Sequence, residues 1–314
     1  MTTAASEVGF RAPIPADAPA VTAVINERER ADRGSTEVTV EMVRAHWSEP
    51  EIELAADGML AVAGRWVVGY ALATRNRELV SVAPDWCGRG IGSELLRWTM
   101  ARSRTRGVRV HRQIIDSSNA DAAALLRGAG YQRVRSQHRM EMSPPEPLCG
   151  EPPPGIALRR VDVKRDAREL HRVDADAFAD NADSEPETFA QFRDEHLRSP
   201  ALDADATLVA VERDDDDGGG GGGGGGGIVG YLLAERRLEG ALGYVSVLGV
   251  SRAWRGRGVG TALLSATVEA WLAAGVRHAG LTVASDNPNA RRLYARLGMT
   301  DQYTLEEFER PVLG

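Results

Sequence analysis

Cysteine and lysine are almost missing from this chain of 314 residues, which has two cysteines, Cys87 and Cys149, and a single lysine, Lys164. Two thiols exclude a small disulfide-stapled or thiolate–zinc scaffold, and no cysteine or histidine spacing points to a metal. Apolar runs approaching the roughly 20 residues that span a bilayer are absent. The start, Met1 to Phe10, has no basic segment followed by an apolar one, so neither a membrane span nor a secretory signal is predicted. Excess positive charge is absent as well: 38 Lys and Arg stand against 45 Asp and Glu, a net charge of −7, and aromatics are only 5% of the chain. No basic, aromatic-interleaved stretch exists to follow a nucleic acid backbone. The composition predicts a globular cytoplasmic protein with no nucleic acid or membrane partner, and its length suits about two domains.

What the chain does contain is a repeat. Val82-Ala-Pro-Asp-Trp86-Cys87-Gly88-Arg89-Gly90-Ile91-Gly92 returns as Val250-Ser-Arg-Ala-Trp254-Arg255-Gly256-Arg257-Gly258-Val259-Gly260, 168 residues later, with six of eleven positions identical. The same offset pairs Asn119 with Asn287, Ala122 with Ala290, Leu125 with Leu293 and Gly130 with Gly298. A register held across loop, helix and strand means two copies of one domain. The proline-rich run around 146–155 cannot donate to a strand ladder or continue a helix, so it reads as a linker between domains at 1–145 and 156–314.

Each copy opens with a strand and a helix, followed by a hairpin whose second strand contains Val-Gly-Tyr, at Val68–Tyr70 and Val229–Tyr231. Gly64-Arg65 makes a two-residue turn in the first hairpin, whereas the second holds Asp214 to Asp217 and ten glycines, Gly218 to Gly227. Polyglycine has no preorganised amide nest, so this tract reads as a flexible loop extension. In the second copy, strand Tyr244–Val250 leads into the glycine loop and then a helix. Leu264, Val268, Trp271 and Leu272 form one stripe of that helix, and Asn287-Pro288 starts a second helix after the next strand.

Arg255-Gly256-Arg257-Gly258-Val259-Gly260-Thr261 joins a strand to a helix N-terminus, where glycines let the backbone approach a ligand and the amides and helix dipole suit a pyrophosphate. A nucleoside-triphosphate loop needs Gly-Lys-Ser/Thr and a dinucleotide fingerprint needs a third glycine where Thr261 stands, so both are excluded.

Taken together, Arg-x-x-Gly-x-Gly after a strand ending in valine, then helix, strand, asparagine and a helix with tyrosine before Leu-Gly, resemble the GCN5-related N-acetyltransferases (GNAT). The resemblance covers essentially the whole chain. It implies an α/β (α+β) fold of two tandem GNAT-type domains, each a mixed, mostly antiparallel central sheet splayed between strands 4 and 5 and flanked by helices. It implies acetyl-CoA as cosubstrate, with no metal, and a small-molecule or peptide primary amine as acceptor. Carried onto this chain, it places Leu248, Gly249 and Val250 against the pantetheine and acetyl carbonyl, Arg255 through Thr261 around the pyrophosphate, and Asn287 beside the pantetheine arm. Tyr294 would be the general acid for the departing thiolate.

In copy one, Cys87 replaces the arginine and Leu126 the tyrosine. That copy is expected to be catalytically degenerate, although Val82, Gly88, Arg89, Gly90, Ile91 and Gly92 keep the makings of a second acetyl-CoA site. For the general base the nearest carboxylates by topology are Glu235 and Glu239, with a water chain as the alternative. A non-catalytic acetyl-CoA sensor is the competing functional class. Within the family, the two-copy layout with the more intact site in the second copy is similar to that of the mycothiol synthases, which implies an aminoglycoside-like cysteinyl acceptor. Where that group carries a glutamate ahead of Val-Leu-Gly-Val, this chain has Tyr244. Tandem domains can pair within one chain, which is compatible with a monomer, but the sequence does not fix the oligomeric state.

Overall fold

The computed structural model describes residues 8–74, 78–143, 146, 148, 150–180, 187–199, 201–213, 226–237 and 241–312. The acidic part of the insertion, most of its glycines, Glu239 and Cys149 lie outside them. Two compact units result, and neither is one continuous stretch of chain. Unit 1 comprises residues 1–138, 284–286 and 303–314, and unit 2 comprises 139–283 and 287–302.

Unit 1 begins with β1 (Val8–Arg11), α1 (Ala18–Arg33), α2 (Val40–Trp47), α3 (Leu54–Asp57), β2 (Gly58–Ala63), β3 (Trp66–Ala73) and β4 (Glu78–Val82). The strands form an antiparallel sheet in the order β1-β2-β3-β4, turned between β2 and β3 at Gly64, whose φ of 60° favours glycine. Then follow α4 (Ile91–Thr105), β5 (Val110–Asp116), α5 (Ala120–Gly128) and β6 (Gln132–Met142). β5 has no ladder with β4. It pairs instead with Leu305–Pro311 of the last strand of the chain, whose Phe308 is fully buried beside Leu96, Met100, Leu126 and Tyr131.

Unit 2 takes the end of β6, from Arg139, and adds β7 (Ile156–Arg160), α6 (Val163–Phe178), α7 (Phe189–Phe192), β8 (Leu208–Glu212), β9 (Ile228–Arg237) and β10 (Leu242–Val250). α8 (Val259–Ala273), β11 (His278–Ala284), α9 (Pro288–Arg296) and β12 (Thr300–Pro311) complete the chain. β7 to β10 are antiparallel neighbours, and β10 runs parallel to β11. One face of this sheet packs Leu170, Val173 and Phe192 from the α6–α7 side against Val209, Tyr231 and Leu233. The other packs Leu263, Leu264, Val268 and Trp271 of α8 against Leu232, Val245 and Leu281. Trp271 lies so close to β10 that a Cβ at Gly243 would fall 2.4 Å from its ring, so the strand needs glycine there. The mixed sheet of unit 2 and the tandem arrangement are those expected from the sequence.

Candidate active site

In unit 2 the site starts from a bulge. β10 pairs with β9 from Leu242 to Val245 and again from Val247 to Val250, leaving Ser246 as the extra residue. Its ladder with β11 covers only Leu242–Val245 against His278–Leu281. Beyond the bulge the two strands part, and the β11-facing edge of Val247, Leu248, Gly249 and Val250 is left unpaired. This is the splay between strands 4 and 5.

The glycine loop closes one end of that gap. Gly256 and Gly258 adopt φ of 73° and 91°, and a Cβ at either would meet nothing within 4 Å, so both face open space. Gly258 caps α8 without a side-chain bond. Among the described residues, no acceptor binds the amides of Gly256 to Thr261, which are aligned with the positive end of α8. Gly260 brings three elements together, since a Cβ there would lie 3.7 Å from Leu293 on α9, 3.7 Å from Val250 and 3.9 Å from Leu248. Coenzyme A carries a pyrophosphate and a thin amide-bearing arm. A cradle of free amides leading into an unpaired strand edge fits both.

Arg255 turns away from the cradle: its Nη1 donates to Asp180 at 2.8 Å and its Nη2 to the Ala177 carbonyl at 2.6 Å, fixing the loop to the end of α6. Arg257 stacks over Trp254, 4.8 Å from the ring centre. Asn287 caps α9, its Oδ1 accepting from Ala290 N at 3.1 Å. Tyr294 is 8% exposed in the α8-side core, and its hydroxyl has no hydrogen-bond partner among the described residues. Burial pushes its pKa up to about 12, so the phenol stays protonated and able to donate. Glu235 stands opposite Tyr244, on the paired side of the bulge, with its carboxylate bound by Arg237 Nε at 2.8 Å.

Unit 1 repeats the loop geometry. Gly88 and Gly90 have φ of 75° and 81°, Arg89 stacks over Trp86 at 4.4 Å, and a Cβ at Gly92 would lie 3.2 Å from Leu125 and 3.9 Å from Val82. Two differences alter its chemistry. Leu126, buried at 3% exposure, offers no proton. Helix α1 also bridges the places that flank the gap in unit 2: Arg28 Nη1 reaches Cys87 Sγ at 3.7 Å and pairs with Asp32, whose carboxylate accepts from Asn119 Nδ2 at 3.1 Å. The Ser118 hydroxyl adds a 2.6 Å bond to the Asp32 carbonyl. Cys87 has no histidine partner. His111 is fully buried between the Thr99 hydroxyl and the Tyr131 phenol, each at 3.0 Å, and burial pushes its pKa down to about 4.

No sequence pattern marks the polar group on the α6 face of unit 2, where Tyr231 binds Asp174 beside His171, Glu187 and His196. Here Glu187, Glu195 and His196 each bring one metal-capable atom within 4.8 Å of the others. Such pairs join elements distant in sequence and have no diagnostic spacing.

A splayed mixed sheet, a free-amide cradle at a helix N-terminus and a buried phenol on the following helix define an acyltransferase. The chain belongs to the Acetyltransferase (GNAT) family, whose model matches residues 25–131 and 167–299. It is 32% identical over 260 residues to a mycothiol acetyltransferase of Actinosynnema mirum, covering 78% of each protein. A GCN5-related N-acetyltransferase from Sphaerobacter thermophilus has a similar structure, with a TM-score of 0.83 and 27% identity over 98% of this chain and 96% of that one. A tandem GNAT protein from the clavulanic acid biosynthesis pathway shares the fold, with a TM-score of 0.73 and 18% identity, over 98% of this chain and 99% of that one. Among the described residues, no helix is long and apolar enough to cross a membrane.

Proposed function

We propose that the chain moves acetyl from acetyl-CoA to the primary amine of a small molecule, in unit 2, and that the acceptor belongs to the mycothiol chemistry for which its relatives are named. The amides of Gly256 to Thr261 hold the pyrophosphate, and the unpaired edge of β10 pairs with the pantetheine arm while Asn287 flanks it. The backbone near Leu248 stabilises the oxyanion as the amine attacks the thioester carbon. Tyr294 gives its proton to the departing sulfur.

The observation that carries this reading is the contrast at one repeated position: a buried, protonated phenol at Tyr294, with no bonded partner among the described residues, against Leu126. Tyr294→Phe keeps the ring and its packing and removes only the proton donor. It should lower kcat by about 10² to 10⁴-fold with little change in the Kd of acetyl-CoA, read by free CoA release and calorimetry. Wild-type turnover by this variant, where chemistry limits the rate, would refute the role of Tyr294.

A further inference from the structure

On the α6 face of unit 2, a fully buried tyrosine holds a carboxylate that has no cation among the described residues. Tyr231 lies opposite Gly249 in the β9–β10 ladder, and its ring fills the space a side chain at 249 would need: a Cβ there would fall 2.6 Å from Cε1 and 3.2 Å from Cζ. The Tyr231 hydroxyl donates to Oδ1 of Asp174 on α6. Asp174 is therefore one phenol ring away from Gly249, the neighbour of Leu248, whose backbone meets the oxyanion in the function proposed above.

Four carboxylates elsewhere in the chain meet arginine: Asp57 meets Arg102 and Arg106, Asp166 meets Arg159, Asp203 meets Arg236 and Glu307 meets Arg135, whereas Glu78 and Asp116 are buried without an ion pair among the described residues. Asp174, half-buried, pairs with no arginine or lysine among the described residues. The titratable groups that face it are Tyr231 from β9, His171 one turn earlier on α6, Glu187 ahead of α7, and His196 in the turn after α7. His171 Nε2 donates to the Glu187 carbonyl at 2.8 Å, and His196 Nε2 lies 3.4 Å from the Glu187 carboxylate, so both histidines are turned toward Glu187. Burying an uncompensated carboxylate is costly, and a cationic ligand offsets that cost.

We propose that the missing cation is the acceptor's ammonium, and that Asp174, positioned by Tyr231, takes its proton. The inference rests on the acetyl-transfer reading. The ammonium passes one proton to the Asp174 carboxylate, and the freed lone pair attacks the thioester carbon. The C–N bond forms to give the oxyanion, which collapses as the C–S bond breaks; Tyr294 protonates the departing sulfur, the nitrogen's second proton restores the Tyr294 phenol, and Asp174 returns its proton to solvent. The balance is one amide, one free CoA thiol and one released proton. Burial raises the proton affinity of Asp174, the Tyr231 hydrogen bond lowers it, Glu187 raises it, and the two histidines lower it. A carboxyl shifted upward is the better proton acceptor.

The test is free CoA release between pH 4 and 9 from the full chain with acetyl-CoA and glucosamine, L-cysteine amide or cysteamine, together with acetyl-CoA calorimetry. Asp174→Asn should lower kcat at least about 100-fold, remove the acidic limb of kcat/KM and leave the Kd of acetyl-CoA unchanged, while Asp174→Glu restores part of the rate. Tyr231→Phe keeps the carboxylate but removes the bond that lowers its pKa. Its acidic limb should move to higher pH, a displacement that a merely structural tyrosine would not cause. A wild-type acidic limb in Asp174→Asn, or an unmoved limb in Tyr231→Phe, overturns the proposal, and the second decides if the first variant does not fold. Wild-type protein that binds acetyl-CoA but acetylates none of the three amines overturns the acetyl-transfer reading, and this inference with it.

Discussion

Glu78 opens β4 in unit 1 at the position that Ser246, the bulge residue, occupies in unit 2, and it is 5% exposed. Its Oε1 accepts from the Ser103 hydroxyl at 3.0 Å and its Oε2 from Arg112 N at 3.1 Å, yet burial outweighs both and pushes its pKa from 4.5 up to about 7. Because the folded pKa is the higher one, the charged form is disfavoured in the fold. The uncharged form costs nothing below pH 4.5, and the penalty of ionising grows as pH rises until it levels off above about 7. A pKa difference of one is worth about 1.36 kcal/mol, so the plateau is about 3 kcal/mol, of which about 2.5 develops between pH 5 and 8. Glu78→Gln removes the titration and keeps both bonds, its carbonyl accepting from Arg112 N while its amide donates to the Ser103 hydroxyl. Urea unfolding followed by tryptophan fluorescence at pH 5, 6, 7 and 8 measures the stability difference between variant and wild type. That difference should move in the variant's favour by about 2.5 kcal/mol across the range. A difference that stays flat with pH would refute the reasoning, whatever its absolute size.

Two further outcomes follow from the geometry. Gly243→Ala drives a methyl into the Trp271 ring, 2.4 Å away, and should cost about 1 to 3 kcal/mol of stability in the same unfolding assay. Calorimetry with acetyl-CoA should find one site per chain, lost in Gly258→Glu, because α1 bridges Cys87 to Asn119 in unit 1. A second site surviving in that variant would mean the bridge leaves the groove of unit 1 open.

The repeat was legible because its glycines are constrained by conformation: Gly88, Gly90, Gly256 and Gly258 all need positive φ, so they stand out at fixed spacing. The caps of α5 and α9 were legible for a similar reason, since Asn119 and Asn287 each bond the amide three residues on. The bulge was not, because Ser246 is an ordinary strand residue and only ladder pairing distinguishes it from its neighbours. Nor was the bridge from α1, since Arg28 and Asp32 read alone as an exposed i,i+4 ion pair, and Asn119 and Cys87 lie far along the chain. Asp174 escaped notice because a helix carboxylate is polar by default, and its partner tyrosine is on a strand distant in sequence.

Unit 1 draws its last strand from residues 303–311, and Phe308 fills its core. On a ribosome this order has a temporal meaning. The first 138 residues emerge long before the strand that pairs with β5, so unit 1 must wait with Leu96, Met100 and Leu126 incompletely covered until residues 303–311 have been made. Synthesis of that distant strand, and not emergence of the first domain, is the event that lets the N-terminal half reach its native state, so a truncation between the linker and Phe308 leaves both halves unfinished.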